Sequence, residues 1–486
     1  MATKSFTFDL LIENGTVIDG SKKPRFEADV GILNGRIAAM GDLSGQSARI
    51  TLDAAGKIVA PGFIDSHTHD DQAVLSQPDM TFKISQGVTT VVTGNCGISI
   101  APLREGAPMP APLNLLDPDN SARFPTFAAY LDALRSNPSA VNVAAMVGHS
   151  TLRVMTMPEL ERPASVGEMS AMRELLEEAL EAGAIGMSTG TYYPPAAAAP
   201  TEELIEVGRP LTGTGALYVT HMRNEGDQSM ESLEETFRIG RELDVHVVIS
   251  HHKLMRQGNF GKSTITLPLI EKAMQCQCVS LDCYPYNASS TMLHSDPLKL
   301  EGRVLVASSV PHPELQGRDL DDIAVDWGVS KAEAASRLQP ASAIYFSMDE
   351  QDVRRILAFE HTMIGSDGIP TGDRPHPRLW GTFPRVLGRY SRDLRLFPLE
   401  TAVWKMTGLT ARTFGLPERG VLEVGNHADV VVFDADTICD RADYQTPTEA
   451  AQGIEAVIVN GVPTWLNGMH QGARAGQVVS RTQRES

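Results

Sequence analysis

The chain has 486 residues, 42% of them hydrophobic and 21% charged, with a formal net charge of −18 and a pI near 5.2. That length suits more than one domain and a large buried core, and the negative charge argues against nucleic acid or an anionic membrane as a partner. No apolar run approaches the roughly 20 residues that span a bilayer, no signal-peptide hydrophobic stretch follows Met1, and five cysteines are too few for a disulfide scaffold. The expectation is a cytoplasmic protein that acts on a small molecule.

Residues 8–20 read as two strands around an Asn14-Gly15 hairpin turn. Ala28–Ile32 and Arg36–Met40 flank a second turn at Asn34-Gly35. The other end repeats this pattern, with strand-like Ala428–Asp434 and Ala456–Val459 followed by Asn460-Gly461. Both termini therefore predict one small β domain, from residues 1–60 and 417–486. Residues 61–416 alternate apolar strands with amphipathic helices. The strands run to His69, Thr93, Val147, Ser188, His221, His251, Tyr284 and Asp367. Ser165 with Glu168 predicts a capping box before a helix that Gly183 stops, and Ser232 with Glu235 predicts a second such start. Eight strand-helix units in series predict an α/β fold, a (β/α)8 TIM-like barrel whose active site lies at the strands' C-terminal ends. One interval breaks the rhythm: the stretch before the Asp367 strand is too long for a single helix. Residues 288–345 are expected to form a mobile lid. The Pro- and Gly-rich Pro102–Phe124 loop is a second long segment on the same face.

Ligand-type residues gather where the barrel predicts an active site. His67 and His69 are one strand-step apart and face the same way, because side chains alternate with period two. Cys96 follows the second strand, His221 the fifth, His251 the sixth and Asp367 the eighth. A thiolate with two imidazoles selects zinc over hard, oxygen-seeking cations, and three protein ligands leave a position open for catalysis. Asp367 before Gly368 could be a turn former. At a strand end beside the first strand it reads instead as the general base that takes a proton from the attacking water and hands it to a leaving amine. Cys276, Cys278, Cys283 and Cys439 are expected to be inert, and His149 to be structural.

This pattern, with the flanking β domain, resembles the amidohydrolase superfamily. Many members carry a lysine after the fourth strand, but Gly186-Met187-Ser188-Thr189-Gly190 offers none. With Cys96 in Gly94-Asn95-Cys96-Gly97-Ile98-Ser99, the chain is similar to the N-acyl-D-amino-acid deacylases (D-aminoacylases). The resemblance implies a tight zinc on Cys96, His221 and His251, with His67 and His69 holding a weaker second metal or lying beside the first. It implies Asp367 as acid/base and Lys253, Tyr284 and Arg378 as binders of the substrate carboxylate. Ser290, at the start of the lid, joins the substrate contacts, and Tyr193 is a candidate hydrogen-bond donor to the scissile carbonyl.

The function so implied is zinc-dependent hydrolysis of an N-acyl-D-amino acid to a carboxylate and a free D-amino acid. Ser290-Thr291-Met292-Leu293 would supply an apolar surface, which favours neutral or apolar side chains. Lys299 and Arg303 keep open an N-acyl-D-glutamate or N-acyl-D-aspartate deacylase. A cyclic-amide hydrolase is disfavoured by the missing lysine. A non-catalytic relative is disfavoured because all six ligand positions are filled.

Overall fold

The computed structural model describes residues 7–117, 123–372 and 374–481. The first six residues, and residues 118–122 of the Pro102–Phe124 loop, lie outside them.

Strands from both ends build one sheet. Ile58–Pro61 pairs with Phe8–Val17 on one side and antiparallel with Val430–Phe433 on the other, which extends through Ile454–Val459 to Val462–Leu466. Asn34-Gly35 and Asn460-Gly461 turn hairpins, with φ of 52° and 76° and of 48° and 81°. That left-handed pair is what a two-residue hairpin turn requires. Asn14-Gly15 does not turn the chain, contrary to expectation. Phe8–Val17 is one strand with a register shift between Ile12 and Gly15, and Asn14 sits in it at φ 61°. The neighbouring strand Phe26–Leu33 pairs with both halves, so the extra residue is absorbed as a bulge.

The middle of the chain is a closed parallel barrel. Its strands are Phe63–Asp65, Val88–Thr93, Asn142–Ala145 with its continuation Val147–Gly148, Gly186–Gly190, Leu217–His221, His246–Ile249, Val279–Cys283 and Thr362–Ile364. Successive strands pair in parallel. The eighth closes on the first through Asp367 N–H donating to the His67 carbonyl at 2.8 Å and a parallel bridge between Thr68 and Gly368. Period-two alternation decides the packing. Ile64, Val92, Ala144, Val219, Val248 and Met363 fill the barrel interior, while Phe63, Val91, Val143, Val247 and Ile364 pack outward against the helices.

The helix Val166–Ala182 starts in a full capping box on Ser165 and Glu168 and ends at Gly183, φ 121°. The second expected box fails. Its helix is Ser229–Leu243, so Ser232 lies inside the first turn. The Ser232 hydroxyl accepts from the Asn224 N–H at 3.0 Å, and Glu235 is drawn outward to Arg223 at 2.7 Å.

The oversized interval is an inserted subdomain. Ser289–Met292, Arg303–Ser309 and Ala341–Phe346 form an antiparallel sheet, and helices Leu320–Trp327 and Lys331–Arg337 pack on it. Leu293, Val304, Val306, Leu320, Ile323 and Ala343 give it a core of its own. Leu293 therefore points into the subdomain and offers no apolar surface to a substrate. Among the described residues no helix is long and apolar enough to cross a membrane.

Candidate active site

The barrel's C-terminal mouth gathers the six ligand-type residues, all buried. Cys96 comes from the loop after the second strand, where the backbone leaves little choice of residue. A Cβ on Gly94 would lie 2.0 Å from the Met146 carbonyl oxygen, and Gly94 and Gly97 both hold positive φ. Cys96, His251 and Asp367 also have positive φ, at 53°, 34° and 50°. Such backbone is disfavoured for residues with a Cβ and persists where surrounding structure enforces it, typically at functional sites.

Cys96 Sγ lies 3.2 Å from His251 Nε2 and 3.6 Å from His221 Nδ1. An ion with Zn–S of about 2.3 Å and Zn–N of about 2.0 Å in tetrahedral geometry requires S···N edges of roughly 3.5 Å. These three atoms meet that requirement. On the other side, Cys96 Sγ is 3.2 Å from His67 Nε2, while Asp367 Oδ1 is 3.1 Å from His69 Nε2 and 3.5 Å from His67 Nε2. Two overlapping donor groups result, Cys96-His221-His251 and His67-His69-Cys96-Asp367, sharing the thiol. Burial pushes the Cys96 thiol up, but the facing His67, His251 and His221 outweigh it and hold it well below its usual value. That favours the thiolate a metal needs.

Two carboxylates orient these ligands, and neither is evident from sequence spacing. Glu225 Oε1 lies 3.1 Å from His251 Nδ1 and 2.7 Å from Lys253 Nζ, and its Oε2 lies 3.5 Å from His221 Nε2. Lys253 Nζ also lies 2.7 Å from His251 Nδ1, so Glu225 and Lys253 together fix the face of the ring turned away from Cys96. Asp282 Oδ1 faces His67 Nδ1 at 3.5 Å without a hydrogen bond and accepts from the His251 N–H at 2.9 Å. Glu225 stands four residues beyond His221, and Asp282 is an acid inside the apolar run Val279–Cys283. The acid in an apolar strand is the one signal that could have found it. A third residue that the sequence does not single out, Tyr192, stacks on the His221 ring at 5.3 Å. Beneath the site, Asp65 accepts from the Ser366 N–H at 2.7 Å and from Lys83 Nζ at 2.7 Å, tying the first strand to the loop that carries Asp367.

A narrow cleft opens onto these groups, lined in part by Tyr193, His221, His251, Lys253, Ser290 and Asp367. Tyr192, Tyr345 and Met255 supply the apolar part of its wall. Arg378 and Tyr284, expected beside the substrate, are fully buried and absent from that lining. Arg378 reaches Asp367 Oδ2 at 2.9 Å, donates to the Ser290 carbonyl at 3.1 Å and stacks over Tyr284 at 4.6 Å. Burial pushes the Asp367 carboxyl up, but Arg378, His251 and His69 outweigh it and keep it well below its ordinary range. His149 lies outside the ligand cluster, beside Glu203 at 3.3 Å. The four remaining cysteines are free thiols.

A closed parallel barrel with histidines, a thiolate and an acid at its C-terminal mouth defines a metal-dependent hydrolase of the amidohydrolase type. The profile of the Amidohydrolase family matches residues 51–265 and 315–465, and the chain belongs to that family. It is 62% identical to the D-aminoacylase of Alcaligenes xylosoxydans xylosoxydans over 98% of each chain. A crystal structure of D-aminoacylase superposes with a TM-score of 0.96 at 62% identity, covering 98% of this chain and 100% of that one. The N-acyl-D-glutamate deacylase of Bordetella bronchiseptica, solved with zinc and a phosphonate mimic of the tetrahedral intermediate, gives 0.94 at 47% identity, with coverage of 97% and 99%.

Proposed function

We propose that the chain hydrolyses the amide bond of N-acyl-D-amino acids, releasing a carboxylate and a free D-amino acid, with neutral and apolar side chains preferred. The observation that carries this reading is the Cys96-His221-His251 donor triangle, with His221, His251, Asp367 and Tyr193 on the wall of one cleft. The donor set suits zinc in one tight site, and His67 and His69 with Cys96 and Asp367 suit a weaker second ion. Zinc held there supplies Lewis acidity, which polarises a carbonyl and acidifies water.

The protein's own groups do the rest. Asp367, kept ionised by Arg378, accepts a proton from the attacking water on a carboxylate oxygen and returns it to the leaving nitrogen. Burial raises the Tyr193 phenol well above its ordinary value, so it stays protonated. Thr291 Oγ1 donates to the Tyr193 hydroxyl at 3.1 Å, which leaves the phenol proton free for the oxyanion of the tetrahedral intermediate. Lys253 presents its ammonium to the cleft for the substrate carboxylate, while buried Arg378 acts behind the wall, through Asp367 and the Ser290 carbonyl. Fixing the carbonyl and the α-carboxylate leaves one enantiomer able to aim its side chain under the insertion. Five free cysteines fit action in a reducing cytoplasm.

The test is kcat/KM for N-acetyl-D-methionine and its L enantiomer with native protein and Asp367→Asn. The D compound should be hydrolysed selectively, and the variant should lose about 10²- to 10⁴-fold in kcat. Preference for the L compound, or an Asp367→Asn protein with native turnover, would refute the reading.

A further inference from the structure

We propose that His376 is a positioning residue: it sets Arg378, and through Arg378 the Asp367 carboxylate, in register with the insertion that roofs the cleft. This rests on the deacylase reading above. The local sequence explains how a side chain outside the cleft gains that reach. Pro377 opens the helix Arg378–Arg385, so Arg378 is its first residue and its N–H has no partner within the helix. His376 Nδ1 accepts that N–H at 3.0 Å. The other ring nitrogen meets the Ala288 carbonyl at 3.1 Å, which can only accept, so Nε2 carries the proton and donates it. Both bonds coexist in one form alone, the neutral ring protonated at Nε2. Burial, with the Arg378 guanidinium nearby, holds the imidazole well below its ordinary value and keeps it neutral.

Ala288 immediately precedes Ser289–Met292, the first strand of the insertion, and Arg378 donates to the Ser290 carbonyl of that strand at 3.1 Å. The carbonyls of Ala288 and Ser290 are therefore held by His376 and Arg378, and the same guanidinium meets Asp367 Oδ2 at 2.9 Å. Arg378 has little else to fix it. Among the described residues its Nε makes no hydrogen bond, and the Tyr284 ring at 4.6 Å bounds one face without choosing a rotation. The direction of the guanidinium thus depends on where the helix begins, which His376 decides. The imidazole is itself clamped, because Tyr286 and Tyr444 each meet it edge to face at 5.2 Å. Tyr444, from the C-terminal segment, also packs on Phe346 of the insertion's last strand at 4.9 Å. His376 stands where barrel, insertion and C-terminal segment meet, and it does not line the cleft. Its reach to the chemistry is through Arg378, and a shift of about 1 Å in a reacting group costs on the order of 100-fold in rate.

The experiment measures kcat and KM for N-acetyl-D-methionine, with zinc content and urea midpoint, in native protein, His376→Ala, His376→Asn and His376→Gln. It repeats His376→Ala in an Arg378→Met background. His376→Asn keeps an acceptor near Nδ1 and His376→Gln a donor near Nε2, so each restores one of the two bonds. His376→Ala should retain zinc and lose about 10- to 100-fold in kcat with KM little changed, and the other two variants should each recover part of that loss. In the Arg378→Met protein, His376→Ala should cost at most about 2-fold more, because residues that act as a unit are not additive. Native kcat in zinc-loaded His376→Ala, or the same cost in both backgrounds, would overturn the proposal while native turnover still upholds the deacylase reading. Should His376→Ala not fold, folded His376→Asn and His376→Gln proteins with native kcat would overturn it likewise. Native protein inactive on the substrate would overturn both.

Discussion

Glu225 shows how one buried side chain can govern a site it never enters as a ligand. It faces both histidines of the proposed tight site and Lys253 besides. Burial pushes its carboxyl up, but Lys253, His221 and His251 hold it well below its ordinary value, so it stays ionised. Glu225→Gln should weaken zinc binding by about 10- to 100-fold, the usual effect of losing such an orienting partner. Competition with a chelator measures this, and native affinity in the variant would show that the histidines hold themselves. The clustered donor side chains were legible in the sequence because their cues are local: His67-x-His69 has strand spacing, and Cys96 lies between glycines just past an apolar run. Glu225 and Asp282 were not, because their roles arise from contacts between loops and strands that sequence spacing does not encode. Arg378 was expected to be a carboxylate binder, and its pairing with Asp367 could not be read before the eighth strand was seen to close beside that helix.

Among the elements, the helices His149–Thr156 and Thr201–Gly208 are locked by Arg153, Glu203 and His149. Burial raises the Glu203 carboxyl, but His149, the Ala164 N–H and Arg153 outweigh it and bring it to about 2. A carboxyl lowered on folding stabilises the protein fully above its unfolded value of 4.5, and that stability is lost as pH falls toward about 2. Glu203→Gln should therefore be less stable than native at pH 7, by about 3–5 kcal/mol for a broken buried pair. The gap should narrow as pH falls from about 4.5. Urea melts at pH 7, 4 and 3 measure it, and a gap independent of pH would assign the loss to packing. The caps show where local signals hold. Ser165-x-x-Glu168 works because Glu168, although paired with Arg162 at 2.7 Å, still accepts from the Ser165 N–H at 2.7 Å, whereas Glu235 is turned away to Arg223 and Ser232 accepts from the Asn224 N–H. Asn14-Gly15 fails for a similar reason, since a neighbouring strand continues past it.

Across the molecule, the barrel was readable from its repeated strand-helix rhythm, and so was the sheet built from both termini. The insertion was readable only as excess length. Its antiparallel sheet and separate core depend on pairing Ser289–Met292 with Ala341–Phe346 across some fifty residues, a contact no local pattern announces. That pairing roofs the cleft and brings Ser290, Thr291, His294, Lys299 and Tyr345 over the ligands. The barrel thus supplies the clustered donor atoms and the insertion supplies much of the cleft wall. Everything proposed for this chain depends on Cys96 and its histidines holding the metal that hydrolysis requires. The most direct test measures zinc content together with kcat/KM on N-acetyl-D-methionine in native protein and Cys96→Ala. Native protein should retain zinc through dialysis, and Cys96→Ala should lose both the tight metal and the activity. A Cys96→Ala protein with full zinc and native turnover would contradict it.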